Sequence, residues 1–255
     1  MFIPLHDANA LKHIKVQYVT FGLIAANVLV FLLTSLGSEN FTNAAVWGLG
    51  YIPSTFFDFA YRPQEMVLVP DDATLITYSF LHADIWHLGG NMLFLWVFGD
   101  NVEDALGHIK FLIFYLACAA AGAITHGAVT PNSEAPLIGA SGAVAGIVSA
   151  YLLLHPRVKV WILALGRIPL RLPAWILLAL WVLFQFAMFA IVGEEEVSWA
   201  AHIGGIVAGA LLVLILRRRG VPLFDRQIVT PQAVTVEPPA PPPPPEPAPV
   251  PWGRR

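Results

Sequence analysis

Charge is scarce in this chain. Asp, Glu, Lys and Arg make up 12% of its 255 residues and hydrophobic side chains 57%, and a mean hydropathy of +0.67 is far from the balance of a water-soluble domain. Cysteine is nearly missing. Cys118 stands alone inside an apolar run, which excludes a disulfide framework and a thiolate zinc cluster and leaves it as a small core residue. No Asp or Glu falls within the interior of an apolar run. The chain therefore lacks the two membrane aspartates of an aspartyl intramembrane protease and the buried carboxylates a solute or proton transporter would use. The zinc-protease pattern His-Glu-x-x-His is absent too.

What remains is an integral membrane chain. Crossing ~30 Å of hydrocarbon takes about 20 apolar residues, and runs of that order lie at 18–36, 88–102, 109–127, 138–155, 174–192 and 197–216. The expected fold is all-α, a six-transmembrane-helix bundle over 18–216, with an N-terminal segment at 1–17 and a tail at 217–255. The 18–36 run is longer than a signal-peptide core and no clean small-residue cleavage site follows it, so it is expected to stay as a helix.

Basic residues set the orientation. With the N-terminus inside, Lys12, Lys15, Lys110, Arg157, Lys159, Arg167, Arg171, Arg217, Arg218, Arg219, Arg226, Arg254 and Arg255 are all cytoplasmic, and of the 14 Lys and Arg only Arg62 is outside. Glu194-Glu195-Glu196 then falls in a short outer loop, and both termini of a multi-pass protein are cytoplasmic. The connection 37–86 becomes a long outer loop whose Trp47, Tyr51, Ile52, Phe56, Phe57, Phe59 and Tyr61 suit the headgroup interface, and it is expected to be ordered. Beyond Arg219 the chain turns proline-rich, most densely from Glu237 to Pro251. Stiff polyproline-like chain buries no core, so a disordered cytoplasmic tail is expected.

This topology places three polar side chains at one depth. The second, fourth and sixth spans all run inward from the outer surface. At a rise of 1.5 Å per residue, Ser141 is expected roughly 7 Å past Pro136, His202 about 9 Å past Glu196 and Asn91 about 10 Å past Asp84. A serine hydroxyl is a weak nucleophile until a base takes its proton, and an imidazole can take it and return it to a leaving amine. Ser141 and His202 fit those roles as a dyad, since no carboxylate is there to make a triad. His87 and Asn91, spaced i to i+4 on one helix face, offer a ring N–H and a carboxamide to the oxyanion of a tetrahedral intermediate. Free backbone N–H groups in the first turn at Ser141 add to them. Gly142 and Gly146, and Gly205 and Gly209, form two Gly-x-x-x-Gly patterns that let helix backbones approach closely.

Each residue has a plainer reading. A membrane serine usually bonds its own i−4 carbonyl, a lone histidine or asparagine can clasp two helices, and Gly-x-x-x-Gly mostly signals ordinary packing. The spacing His82-x-Asp84-x-x-His87 invites a metal, but without a zinc signature no metal site is expected. His126 and His155 read as interfacial.

The stretches Phe80-Leu81-His82-Ala83-Asp84-Ile85-Trp86-His87-Leu88-Gly89-Gly90-Asn91-Met92, Gly139-Ala140-Ser141-Gly142-Ala143 and Ala201-His202-Ile203-Gly204-Gly205 resemble, in order and spacing, the rhomboid intramembrane serine proteases, over about 18–216. The resemblance implies a six-helix bundle that cleaves membrane-anchored proteins near the outer face without metal or cofactor. It assigns Ser141 as nucleophile, His202 as base, and Asn91 with His87 as oxyanion contributors. Two departures stand out. Many bacterial rhomboids carry Trp-Arg in the first outer loop, where this chain has Tyr61-Arg62. An aromatic residue four positions after the serine often stacks on the histidine, where this chain has Ala145, so the imidazole is expected to rely on other neighbours.

The expected function is therefore a serine endopeptidase acting on transmembrane substrates within the lipid bilayer, with no nucleic-acid partner. A catalytically silent rhomboid-like binding protein is the main alternative and a small-solute transporter the weaker one. The retained Ser141 and His202 favour the enzyme. With a compact six-span form and no transit segment ahead of the first span, a prokaryotic plasma membrane is the expected address. Orientation has a direct test: in spheroplasts, a tag after the proline-rich tail should be protected from external protease while the membrane is intact.

Overall fold

The computed structural model describes residues 2–193 and 197–225. Glu194-Glu195-Glu196 and the proline-rich stretch, both given roles above, lie outside the described residues. The order of elements is β1 (Phe2–Asp7), α1 (Tyr18–Leu36), α2 (Glu39–Leu49), α3 (Pro53–Phe56), α4 (Asp71–Thr77), α5 (Ile85–Leu106), α6 (His108–Val129), α7 (Ser141–Leu154), β2 (Lys159–Ala164), β3 (Ile168–Pro173), α8 (Ala174–Ile191) and α9 (Trp199–Leu216). Among the described residues four helices, α1, α6, α8 and α9, are long and apolar enough to cross a membrane, and α7 is a shorter apolar helix. All six apolar runs read from the sequence are helical, but α5 and α7 do not meet that measure of a span.

α7 is the hub. It is apolar all round and buried along nearly its whole length, as expected of a helix enclosed by others, with α5, α6, α8 and α9 packed around it. Its 14 residues rise only about 21 Å, less than the ~30 Å of a bilayer core. The residues before it, expected to be helical from 138, lie outside the helix, with Gly139 at φ +122°. Leu137 bridges to Tyr51 in both directions, its N–H donating at 2.8 Å and its carbonyl accepting at 3.1 Å, and Gly139 N–H donates to Tyr78 O at 3.0 Å. The peripheral helices turn large apolar side chains outward, among them Leu29, Leu32 and Leu33 on α1 and Leu180, Leu183 and Phe184 on α8, as a lipid-facing surface requires.

Glycine sets the distance between α7 and α9. A Cβ on Gly205 would overlap the Gly142 carbonyl, one on Gly209 would overlap that of Gly146, and one on Gly146 would meet Cys118 Sγ at 2.5 Å and Gly205 O at 3.1 Å. The two Gly-x-x-x-Gly patterns therefore face each other, and α6 joins at Gly122, which lies against Gly142 and Ala201.

A buried acidic pair fixes the end opposite the outer loop. Glu103 is fully buried and accepts from Val19 N (3.0 Å), Thr20 N (2.8 Å) and Thr20 Oγ1 (2.7 Å), with His108 Nδ1 at 2.5 Å. It thus supplies α1 with the N-terminal cap that Gln17 does not provide. Asp104 accepts from Lys12 N (3.0 Å), His13 N and Ile14 N (both 2.7 Å). The pair lies beyond the expected end of this span at 102, inside α5, and its signal in the sequence is Asp100-Asn101-Val102-Glu103-Asp104.

Among the described residues three short strands add to the expected all-α architecture. β1 pairs antiparallel with β2, and β2 with β3. Leu165 and Gly166 take positive φ (51° and 69°) in the tight connection between β2 and β3. The alternation of Val160 and Ile162, buried, with Lys159 and Trp161, exposed, is the period-2 signal of a half-covered strand. The long connection 37–86 carries α2, α3 and α4, and within it Tyr51 and Ile52 are buried while Tyr61 is 91% exposed. Arg62 donates to Trp47 O and Gly48 O, both at 3.2 Å, and pairs with Asp71. It ties α2 to α4 without an adjoining tryptophan.

Because overpacking a tight contact costs about 1–3 kcal/mol, Gly205→Ala should clearly lower the melting temperature in detergent. Gly22→Ala, where an added Cβ meets nothing within 4 Å, should not.

Candidate active site

The start of α5 places the first polar group. Asp84 is its N-cap, accepting from Trp86 N at 2.7 Å and His87 N at 2.8 Å. These bonds, His87 N–H foremost, hold its carboxyl below the usual carboxylate range. The Asp84 in the histidine-rich spacing is thus accounted for by a helix start. His87 Nδ1 receives a long bond from Ala83 N (3.4 Å), which favours the tautomer that carries its proton on Nε2. A Cβ on Gly139 would sit 2.6 Å from that Nε2, and Gly139 has φ +122°, so only glycine suits this position. One turn on, the buried Asn91 donates from its carboxamide to His87 O at 3.1 Å.

Ser141 is the first residue of α7. The first ladder bond of that helix runs from Val144 N to Ala140 O (3.0 Å), so the N–H groups of Ser141, Gly142 and Ala143 precede it. α9 opens on Ser198, which caps Ala201 N, and His202 follows one turn later.

The His202 ring is held from two helices. Its Nδ1 lies 2.8 Å from Gln185 Oε1 on α8. The Trp199 ring stands edge-on to it with centroids 5.9 Å apart, and Trp181 lies tilted at 6.3 Å. Aromatic contact therefore comes from α8 and α9, in place of the residue occupied by Ala145.

A cavity of about 640 Å³ is lined by Ser141, His202, Asn91 and His87 together. All four side chains chosen from the sequence border one space. Gly142, Gly146, Gly205 and Gly209 lie beneath it on α7 and α9. The sequence reading missed Gln185, Trp181 and His126. Gln185 is the one strongly polar side chain in α8, a signal that was available. His126, read as interfacial, lines the cavity and shares a 2.7 Å hydrogen bond between its Nδ1 and Ser198 Oγ.

His82 lies just before α5, 7% exposed, and among the described residues neither of its ring nitrogens meets a partner at good hydrogen-bond geometry. Burial, then the neighbouring His87, depresses its pKa from 6.5 to about 4. The unfolded chain therefore binds a proton that the folded chain refuses, so His82 costs stability as pH falls from about 6.5 toward 4. His82→Phe should flatten the pH dependence of the melting temperature in that window, and an unchanged slope would contradict this.

Comparison with known proteins places the site in context. Residues 71–219 match the family model described as the Rhomboid domain. The chain is 30% identical to Rhomboid protein 1, mitochondrial, of Saccharomyces cerevisiae, over 66% of this chain and 49% of that one. It is 28% identical to the Presenilin-associated rhomboid-like protein, mitochondrial, of Homo sapiens, over 76% and 47%. With Rhomboid protease GluP of Bacillus subtilis it shares 28% identity over 74% and 33%. The chain spans about half the length, or less, of these relatives. Two of these three are named as mitochondrial and one comes from a bacterium, so they give the expected plasma-membrane address no support.

Proposed function

This chain belongs to the rhomboid family, and from that premise we propose that it is an intramembrane serine protease that hydrolyses peptide bonds of membrane-anchored proteins near the outer face. The observation that carries the reading is the single cavity bordered by Ser141, His202, Asn91 and His87. Ser141 Oγ attacks the scissile carbonyl carbon while His202 Nε2 takes the hydroxyl proton. The carbonyl oxygen becomes an oxyanion that accepts hydrogen bonds from Asn91 Nδ2, His87 Nε2 and the backbone N–H groups at the start of α7. His202 returns the proton to the amine as the C–N bond breaks, leaving an ester on Ser141. Water, deprotonated by the same imidazole, hydrolyses that ester and restores the hydroxyl.

The shortness of α7 supports a site below the outer surface. If the cytoplasmic ends of the spans lie level, a helix of about 21 Å in ~30 Å of hydrocarbon leaves Ser141 short of the outer headgroups. In this reading α5 and α7 complete six passes and both termini are cytoplasmic. A substrate helix buries its carbonyls in i to i−4 bonds, so it must unwind before attack. Residues that weaken a helix near the cut favour it.

The test is cleavage of single-span model substrates by the protein purified in detergent. Ser141→Ala and His202→Ala should each reduce cleavage to background, and the double variant should lose little more, because the two groups act as a unit. Asn91→Ala should be milder, about 10²–10³-fold in kcat, as for one oxyanion donor among several. Cleavage that survives Ser141→Ala would refute the proposal.

A further inference from the structure

We infer that Gln185 is a positioning residue for His202: its carboxamide oxygen fixes the imidazole in the Nδ1–H tautomer and leaves Nε2 as the basic nitrogen. The geometry comes from two hydrogen bonds. Gln185 Nε2 donates to Trp181 O, one turn back on α8, at 3.1 Å, and Gln185 Oε1 lies 2.8 Å from His202 Nδ1. Trp181 O can only accept, so the amide nitrogen must face it and the oxygen must face the ring. The flipped amide would set two acceptors against each other at the first contact. The Nε2–H tautomer of His202 would do the same at the second. Gln185 is 2% exposed, so water does not compete for either bond.

A third member is therefore present, and it is neutral. A carboxylate orients the histidine in serine triads, but an ionised side chain between α8 and α9 would carry the cost of an uncompensated charge in a membrane interior. A carboxamide supplies the acceptor and the direction without the charge. Trp181 and Trp199 restrict the remaining rotation of the ring. Together they do the work that a stacking aromatic four residues after Ser141 would otherwise do, where the chain has Ala145.

The consequence for turnover rests on the protease reading, but the tautomer does not, so the two are measured separately. In full-length protein with ¹⁵N-labelled histidine in detergent, the His202 signals are identified by their loss in His202→Ala. They should show a protonated Nδ1 and an unprotonated Nε2. Gln185→Leu and the longer Gln185→Met, which keep apolar packing but remove the acceptor, should shift His202 toward the Nε2–H form, and Gln185→Glu should retain the wild-type form. In cleavage assays the Leu and Met variants should lose about 10²-fold in kcat, less than the ~10⁴-fold lost when a serine triad is held in the wrong tautomer, with KM nearly unchanged. A wild-type His202 protonated on Nε2, or tautomer and kcat both unchanged in the Leu and Met variants, would overturn the assignment. The expected spectra without Ser141-dependent cleavage would uphold it and overturn the protease reading instead.

Discussion

The closeness of α7 and α9 is the constraint on which the site depends. In lipid there is little hydrophobic drive to press helices together, and association rests on backbone approach and van der Waals contact. Here Gly142 and Gly146 meet Gly205 and Gly209 so tightly that added Cβ atoms would overlap carbonyl oxygens. Ser141 immediately precedes Gly142, and His202 precedes Gly205 by one turn. The contact that locks the two helices therefore also brings a hydroxyl and an imidazole to one cavity. The glycines are structural, yet the placement of the proposed nucleophile and base follows from them.

A second principle governs polar groups. Among the described residues the buried carboxylates gather at the end of the bundle where the N-terminal segment docks, with Glu103 capping α1 and Asp104 holding the backbone of Lys12, His13 and Ile14. Around the cavity Asp84 spends its carboxylate on the first N–H groups of α5, and neutral side chains are paired with one another or with backbone: Asn91 with His87 O, Gln185 with Trp181 O and His202, Ser198 with His126. Satisfied neutral groups keep an orienting network in an apolar setting at lower cost than ions would.

The helices and the four candidate site residues were legible in the sequence because both signals are strong there. Long uncharged runs have few explanations, and polar residues within them stand out. What was not legible depends on contacts between distant segments. The start of α7 was placed three residues early because Ile138, Gly139 and Ala140 are as apolar as a helix, and it is the pairing of Leu137 with Tyr51 and of Gly139 with Tyr78 that keeps that stretch out of it. The sheet was hidden because Phe2–Asp7 becomes a strand only against Lys159–Ala164. Gln185 was overlooked because one amide in an apolar run carries no direction until its helix is seen beside His202.

The central claim, that Ser141 is a nucleophile activated by His202, is tested most directly by labelling with a fluorophosphonate, which phosphonylates activated serines, followed by mass-spectrometric mapping of the adduct. The account predicts one adduct, on Ser141, in the wild-type protein and none in His202→Ala. An unlabelled Ser141 in folded wild-type protein, or labelling of Ser141 that persists without His202, would contradict it.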